Sequence, residues 1–331
     1  YTPSINGTLA ALVNTMPAEN IQVIADYDPA GEQPAPGTQS GKTGAPRSKL
    51  AGASVPFLVQ VTDKYWNLVP SSAVVLNVSD TDNNNSPVRP EGPVSFNSSA
   101  TINRVFVSAD AVGWNLSVSG AVSSKVSVTP NTAKGLLALL PGETRNQGKY
   151  TVEPKGKDGQ VTDQLAGSTF TVRVYAVDAY YNTDVSTSFP VAVDIVTDRY
   201  EINPATGTLL AGATEFFFSP VVAGTHTVKA QKTAAQHLTG GTSYYITPNT
   251  FKAWWNRPAN LHLLAPGQEL EPGLPPYTAN PAGGGKTGSP VDLEAGATVQ
   301  MRVYLTDNYY NVVSGTTPFM AVSSNTPQVQ I

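Results

Sequence analysis

Cysteine is absent from all 331 residues, which excludes disulfides, zinc-thiolate sites, iron–sulfur clusters and thiol nucleophiles. Stability therefore has to come from packed cores. Charge is also scarce. Asp, Glu, Lys and Arg make up 13% of the chain, the formal net charge is −4, and no run of Lys or Arg supplies the footprint that nucleic acid or an anionic membrane requires. No stretch approaches the ~18 uninterrupted apolar residues of a membrane-spanning helix. Neither a nucleic-acid partner nor a membrane span is expected. The three histidines, His226, His237 and His262, lie apart and beside no Gly-x-Ser-x-Gly elbow, so no catalytic residue is assigned and the chain is read as a non-enzyme. It starts at Tyr1 without Met or a basic-then-apolar leader. That start reads as a processed secreted protein or a fragment, and with the Ser/Thr/Asn-rich composition we favour an extracellular or cell-surface location.

What is present is turn residues and β-formers. The 28 Gly and 27 Pro are spread along the chain among Val, Thr, Ser and Ala, which favours many short strands joined by turns. Self-comparison finds a repeat. Residues 50–67 (LAGASVPFLVQVTDKYWN), 165–182 (LAGSTFTVRVYAVDAYYN) and 294–311 (EAGATVQMRVYLTDNYYN) align, and Ala51, Ala166 and Ala295 precede Asp63, Asp178 and Asp307 by the same interval of 12. Upstream, 137–143 (LALLPGE) parallels 261–269 (LHLLAPGQE) and, more loosely, 23–32. Each copy then carries a Gly-Lys excursion: Gly41-Lys42-Thr43-Gly44, Gly156-Lys157-Asp158-Gly159 and Gly285-Lys286-Thr287-Gly288. Residues 128–134 (VTPNTAK) also match 246–252 (ITPNTFK), which places both at junctions.

Within the copies apolar residues alternate, as in Phe170, Val172, Val174 and Ala176 against Thr171, Arg173 and Tyr175, the period of a strand with one buried face. Further strands are expected at 73–78, 94–96, 104–108, 114–119 and 125–129, and in the second copy at 191–196, 215–219, 225–230 and 243–246. About seven strands per copy predict an all-β chain of tandem immunoglobulin-like antiparallel sandwiches. The Ala-Gly start, alternating strand, Asp-x-Tyr-aromatic-Asn turn and later Ala-Gly-Thr-His-Thr-Val strand resemble the bacterial immunoglobulin-like tandem repeats of large surface proteins and invasin-type adhesins. That resemblance implies a scaffold without a shared active site.

The expected division is 1–19, a leading strand of a neighbouring module (its strand at 9–13); 20–131, the first module; 132–252, the second; and 253–331, an incomplete third. An incomplete sandwich leaves an apolar face and an open edge. Two readings follow: a window from a longer array with adjacent modules as partners, or a self-completing protomer joined head-to-tail by strand complementation. The expected function is a structural subunit or repeat segment of a surface filament, sheath or layer, with an adhesin stalk as the alternative.

Several polar features are candidates for chemistry. Asp63, Asn67, Asp178, Asn182, Asp307 and Asn311 are expected to fix turns at strand ends, since Asp and Asn bond nearby backbone and tolerate left-handed geometry. Of the adjacent aromatics, Trp66, Tyr181 and Tyr310 are candidates for module packing or ligand stacking, as are Trp254 and Trp255, read as a hydrophobic plug near a junction. Asp80, Asp82, Asn84 and Glu91 match a calcium loop in spacing, although Asn85 stands where that loop needs Gly. A solvated hairpin tip is the competing reading, and no cofactor is otherwise expected. The Gly-Lys excursions lack the upstream Gly of a phosphate loop and read as hairpin tips whose Lys keeps the edge soluble. Asn6, Asn77, Asn97 and Asn115 head glycosylation sequons, which permits attached glycans.

Overall fold

The computed structural model describes residues 16–70, 72–85, 92–201, 205–232, 245–246, 249–277, 283–315 and 320. Strands, hairpins and one 3-10 turn (Asn83–Asn85) account for its regular structure. The chain divides into two compact units. One is Tyr1–Ala133 with Asn146–Gly156 and Val177–Asp184; the other is Lys134–Arg145, Lys157–Ala176 and Val185–Ile331.

In the first unit, Asn20–Ala25, Ser54–Thr62 and Ser99–Val105 form an antiparallel sheet with Asn20 opposite Thr62 and Ser54 opposite Val105. A second sheet runs Ala121–Val122, Leu116–Val118, Ala73–Asp80, Gly92–Asn97. A third pairs Lys49–Leu50 in parallel with Val126–Thr129, which also meets Asp110–Trp114. Their inward residues make one core: Val23, Val55, Phe57, Val59, Phe106, Leu116, Val118, Val126 and Val128 are buried together. Phe57 and Phe106 meet edge-to-face with centroids 6.1 Å apart, an arrangement aromatic quadrupoles favour.

The second unit contains the same plan. Ala213–Phe218, Phe170–Val177, Gly135–Leu139 and Tyr245–Ile246 form one sheet; Gln164–Leu165, Asn249–Trp254, Gly224–Lys232, Pro190–Ile195 and Ala205–Thr208 form the other. Phe170, Val172, Val174 and Ala176 are buried while Arg173 is exposed, the alternation expected from sequence. In the third copy Asn260–Leu264 pairs with Arg302–Thr306. Leu261, Leu263 and Met301 are exposed there, whereas their counterparts Leu136, Ala138 and Val172 are buried in the second copy.

Four local expectations are revised. The strand expected at 104–108 lies at Ser99–Val105, because its register with Ser54–Thr62 ends there and releases Phe106 and Val107 into a separate role. The strand expected at 114–119 divides into Asp110–Trp114 and Leu116–Val118, which belong to different sheets. The match of 246–252 to 128–134 is out of structural register. Asn249–Trp254 pairs with Gln164–Leu165 as Val126–Thr129 pairs with Lys49–Leu50, so the boundary drawn at 252/253 cuts a strand, and Asn256 is the counterpart of Asn131. Trp254 is therefore a strand residue and no plug. It is 42% exposed, its indole N–H donates to Asp163 Oδ2 at 2.7 Å, and Lys252 Nζ lies 3.2 Å from its ring centroid. Trp255 is half-buried. The leading strand at 9–13, most of 243–246, and 321–331 lie outside the described residues.

The Gly-Lys excursions are hairpins, but in the first two copies the lysine turns inward. Lys157 Nζ sits 2.7 Å from Glu143 Oε1 with both side chains 4% exposed, and Lys42 Nζ lies 3.4 Å from Glu32 Oε2. The acid also ties down its own loop: Glu143 Oε2 accepts from Leu140 N (2.8 Å) and Asn249 Nδ2 (2.6 Å), and Glu32 Oε2 from Ala25 N (2.8 Å). Gln268, not Glu269, holds this place in the third copy, its Oε1 accepting from Ala265 N at 3.0 Å. Removing one partner of a buried pair strands the other charge. Lys157→Met is expected to destabilise by about 3–5 kcal/mol, read as a lower urea midpoint at unchanged slope. A shift no larger than that of the exposed Lys125→Met would refute this role for the pair.

Candidate functional site

The three Asp-x-Tyr-aromatic-Asn segments form the same turn. Asp63 N bonds Asn67 O and Trp66 N bonds Asp63 O, both at 3.0 Å. Asp63 Oδ1 accepts from Tyr65 N (2.8 Å) and Asn67 N (2.9 Å), and Oδ2 accepts from Asn67 Nδ2 at 3.0 Å. Asp178 with Asn182 and Asp307 with Asn311 repeat this set. The left-handed residue is neither Asp nor Asn, as sequence suggested. It is the second aromatic: Trp66 (φ 67°), Tyr181 (φ 63°) and Tyr310 (φ 64°). An L-residue there costs about 1–2 kcal/mol, and the ring offsets that cost by packing within its own repeat. Trp66 covers Gly41 and Tyr310 covers Gly285, where a Cβ would lie 2.4 Å and 2.2 Å from the ring. Trp66 and Tyr181 are half-buried and Tyr310 is buried.

The turn then reaches beyond its own repeat. Asn182 Nδ2 donates to Val107 O (2.8 Å) and its Oδ1 accepts from Ala109 N (2.8 Å), so the amide clasps a strand end of the preceding repeat. Asn311 does the same with Val221 O (2.9 Å) and Ala223 N (2.7 Å). The linker is held by the carboxylate: Asn131 N donates to Asp178 Oδ2 and Asn256 N to Asp307 Oδ2, each at 2.9 Å. The linker amide in turn bonds the Ala-Gly turn, Asn131 Nδ2 to Ala51 O (2.6 Å) and Asn256 Nδ2 to Ala166 O (2.9 Å).

One member of each aromatic pair was expected to pack on a neighbouring module; in the second and third copies that member is the first aromatic, Tyr180 and Tyr309, and not Tyr181 or Tyr310. Tyr180 lies on Gly52 and Tyr309 on Gly167; a Cβ on these glycines would come within 2.5 Å and 2.1 Å of the ring. Tyr150 and Tyr277 brace these rings edge-to-face, with centroids 5.0 Å and 4.9 Å away. Behind the clasped peptide stands an acid. Asp82 Oδ2 accepts from Val107 N (2.7 Å) and Ser108 N (3.0 Å), and Asp198 Oδ2 from Val221 N (2.7 Å) and Val222 N (3.1 Å). The recurring Val-x-Ala at 107–109 and 221–223 was the available sequence signal.

This places the residues considered for calcium. Asp82 is buried with its carboxylate filled by those donors and by Ser108 Oγ at 2.6 Å. Asp80 Oδ1 accepts from Asp82 N (3.1 Å), and Asn84 Nδ2 donates to Asn146 Oδ1 (2.9 Å) and Gln147 O (2.6 Å). Glu91 lies outside the described residues. Among the described residues no group of three or more His, Cys, Asp or Glu is placed to hold a metal ion. His226 is buried between Thr197 Oγ1 (3.1 Å) and Val222 O (2.6 Å), and His262 packs against Tyr310; His237 and Asn6 fall outside the described residues. Asn77 and Asn97 are exposed and Asn115 is half-buried.

No family model matches the chain, and no curated protein matches it. Among solved structures, FdeC, an Escherichia coli adhesin, is 12% identical, with 92% of this chain and 79% of that one covered at a TM-score of 0.32. A glycosyl hydrolase family 2 member from Bacteroides cellulosilyticus is 7% identical over 62% of this chain and 23% of its own, at 0.27. Domains 5–6 of the S-layer protein SbsC are 14% identical over 72% of this chain and 98% of that one, at 0.21. These are likenesses of the β-sandwich fold alone.

Charge in the site is set by burial and donors. Burial pushes Asp63 up, but the bonds from Asn67, Met16 and Tyr65 outweigh it and hold the carboxyl at about 2. Glu201 goes the other way: burial, then the nearby Asp198 and Asp194 carboxylates, raise it to about 8 from 4.5. An acid that keeps its proton in the fold stabilises below the unfolded pKa, and that contribution is lost as pH rises through the folded value. Melting temperature should thus fall from about pH 4.5 to about pH 8, and Glu201→Gln should flatten that limb; an unchanged slope would contradict it. For the clasp, Asn182→Ala is expected to cost about 1–3 kcal/mol more than Asn67→Ala, since both lose the turn bonds and only Asn182 also loses Val107 and Ala109. Equal costs in denaturant titrations would remove the cross-repeat role.

Proposed function

We propose that this chain is a non-catalytic structural protein of the cell surface, a run of sandwich repeats within a filament, sheath or layer. The observation that carries this reading is the clasp built twice with the same residues. A carboxylate that accepts two backbone N–H groups of its turn, a side-chain amide and the linker N–H has no free lone pair directed at a substrate, and it is poorly suited to act as a general base. The polar residues of the second and third turns are used to join one repeat to the next. Asn182 and Asn311 fix the neighbour's strand end, Tyr180 and Tyr309 fill the space over a glycine, and Asp178 and Asp307 hold the linker.

Such a connector suits a polymer of sandwiches, because every junction couples the order of one repeat to that of its neighbour. The exposed Leu261, Leu263 and Met301 of the third repeat favour further sheet of the same kind as the partner, since exposed apolar faces and open edges recruit strands. Antibody raised against the chain should label intact producing cells as strongly as permeabilised ones. Labelling that requires permeabilisation, or turnover of a glycan or peptide substrate by the purified chain that a single substitution abolishes, would overturn the reading.

A further inference from the structure

Three repeats carry the connecting turn, and among the described residues only the second and third turns are docked. We infer that the end of the first repeat formed by Gly37, Tyr65 and Asn67 is a docking face for one more sandwich repeat of the same build, in the same polypeptide and ahead of Met16. This rests on reading the turn as a connector. Tyr65 is 54% exposed, whereas Tyr180 and Tyr309 are half-buried over a neighbour's glycine. Among the described residues a Cβ on Gly37 would meet nothing within 4 Å; on Gly148 it would meet Ser108 at 2.0 Å, and on Gly273 it would meet Val222 at 2.6 Å. These three glycines are equivalent, since each donates its N–H to the carbonyl of its repeat's first aromatic: Tyr65, Tyr180 and Tyr309. Among the described residues no donor reaches Asn67 Oδ1, the atom that in the other repeats receives Ala109 N and Ala223 N.

Half of the connection is nevertheless in place. Met16 N donates to Asp63 Oδ2 at 3.2 Å, where Asn131 N and Asn256 N sit in the later repeats. Glu19 N bonds Thr62 O (2.9 Å) as Ala259 N bonds Thr306 O (2.8 Å). The backbone thus arrives at the first repeat along the path of a linker leaving a docked repeat, which selects a covalently preceding repeat over a second chain. Its complementary surface is an Ala-Gly turn with a left-handed glycine for Tyr65 to cover, beside a Val-x-Ala strand end for Asn67. Met16 has no amide to reach the alanine carbonyl of that turn, so this junction has one hydrogen bond fewer than the other two.

The test compares the full chain with a tandem chain in which residues 20–129 replace 1–14 and run directly into Thr15, with Tyr65→Phe in the added copy so that the peptides differ in mass. Hydroxyl-radical footprinting reads each tyrosine. In the full chain Tyr65 should react several-fold faster than Tyr180 and Tyr309, and in the tandem chain it should fall to their level. Asn67→Ala in the tandem chain should restore its reactivity without altering Tyr180. If Tyr65 stays fast in the tandem chain while Tyr180 and Tyr309 are protected, the docking face is overturned and the connector reading stands. If Tyr180 and Tyr309 are as reactive as Tyr65 in the full chain, the connector reading itself fails. A slowing of Tyr65 with rising concentration of the full chain would make the occupant a second copy and overturn the assignment to the same polypeptide.

Discussion

One buried carboxylate per repeat organises this protein. Asp63, Asp178 and Asp307 each accept the N–H groups that close their own turn and the N–H of the incoming linker. A buried, ionised carboxylate is stable only when its lone pairs are matched by donors, so the turn and the linker path are conditions of each other. The spacing of twelve residues from Ala-Gly to Asp then fixes which strand end carries the carboxylate.

The junction divides its tasks between two adjacent aromatics of one turn. The second residue of the pair is left-handed, and in Trp66 and Tyr310 its ring folds back onto its own hairpin glycine, while the first rings Tyr180 and Tyr309 cross over. Glycine is required on both sides for the same reason. Gly41 and Gly285 accept a ring from their own repeat, Gly52 and Gly167 accept one from the next, and at each a Cβ would overlap ring atoms. Positive φ at all four is a second obstacle for any residue with a Cβ, and glycine meets none.

Each repeat also has an internal counterpart of the clasp. Glu32, Glu143 and Gln268 close the loop after the first strand through a backbone N–H, and in the first two repeats the hairpin lysine neutralises the acid. The exchange of Glu for Gln in the third repeat keeps the hydrogen bond and gives up the charge. Buried polar groups thus serve two different purposes: the Glu–Lys pair ties a hairpin to its own sandwich, and the Asp–Asn pair ties its turn to the linker and to the Val-x-Ala peptide.

The sequence by itself determined the class of fold and the repeat. Alternation along 170–177 and the constant Ala-Gly to Asp interval depend on strand period and turn chemistry, which are local. Even the Asp–Asn turn was legible, since its bonds span two to four residues. What only the tertiary structure decided is which groups meet across a junction. Asn182 finds Val107 75 residues away and Asn311 finds Val221 90 residues away, so insertions between them erase any fixed spacing. The inward lysines, the strand position of Trp254 and the use of Asp82 as a support for Val107 were hidden for the same reason. A side chain's partner across a fold is set by how separate strands stack, and local sequence carries the period of each strand without its neighbour.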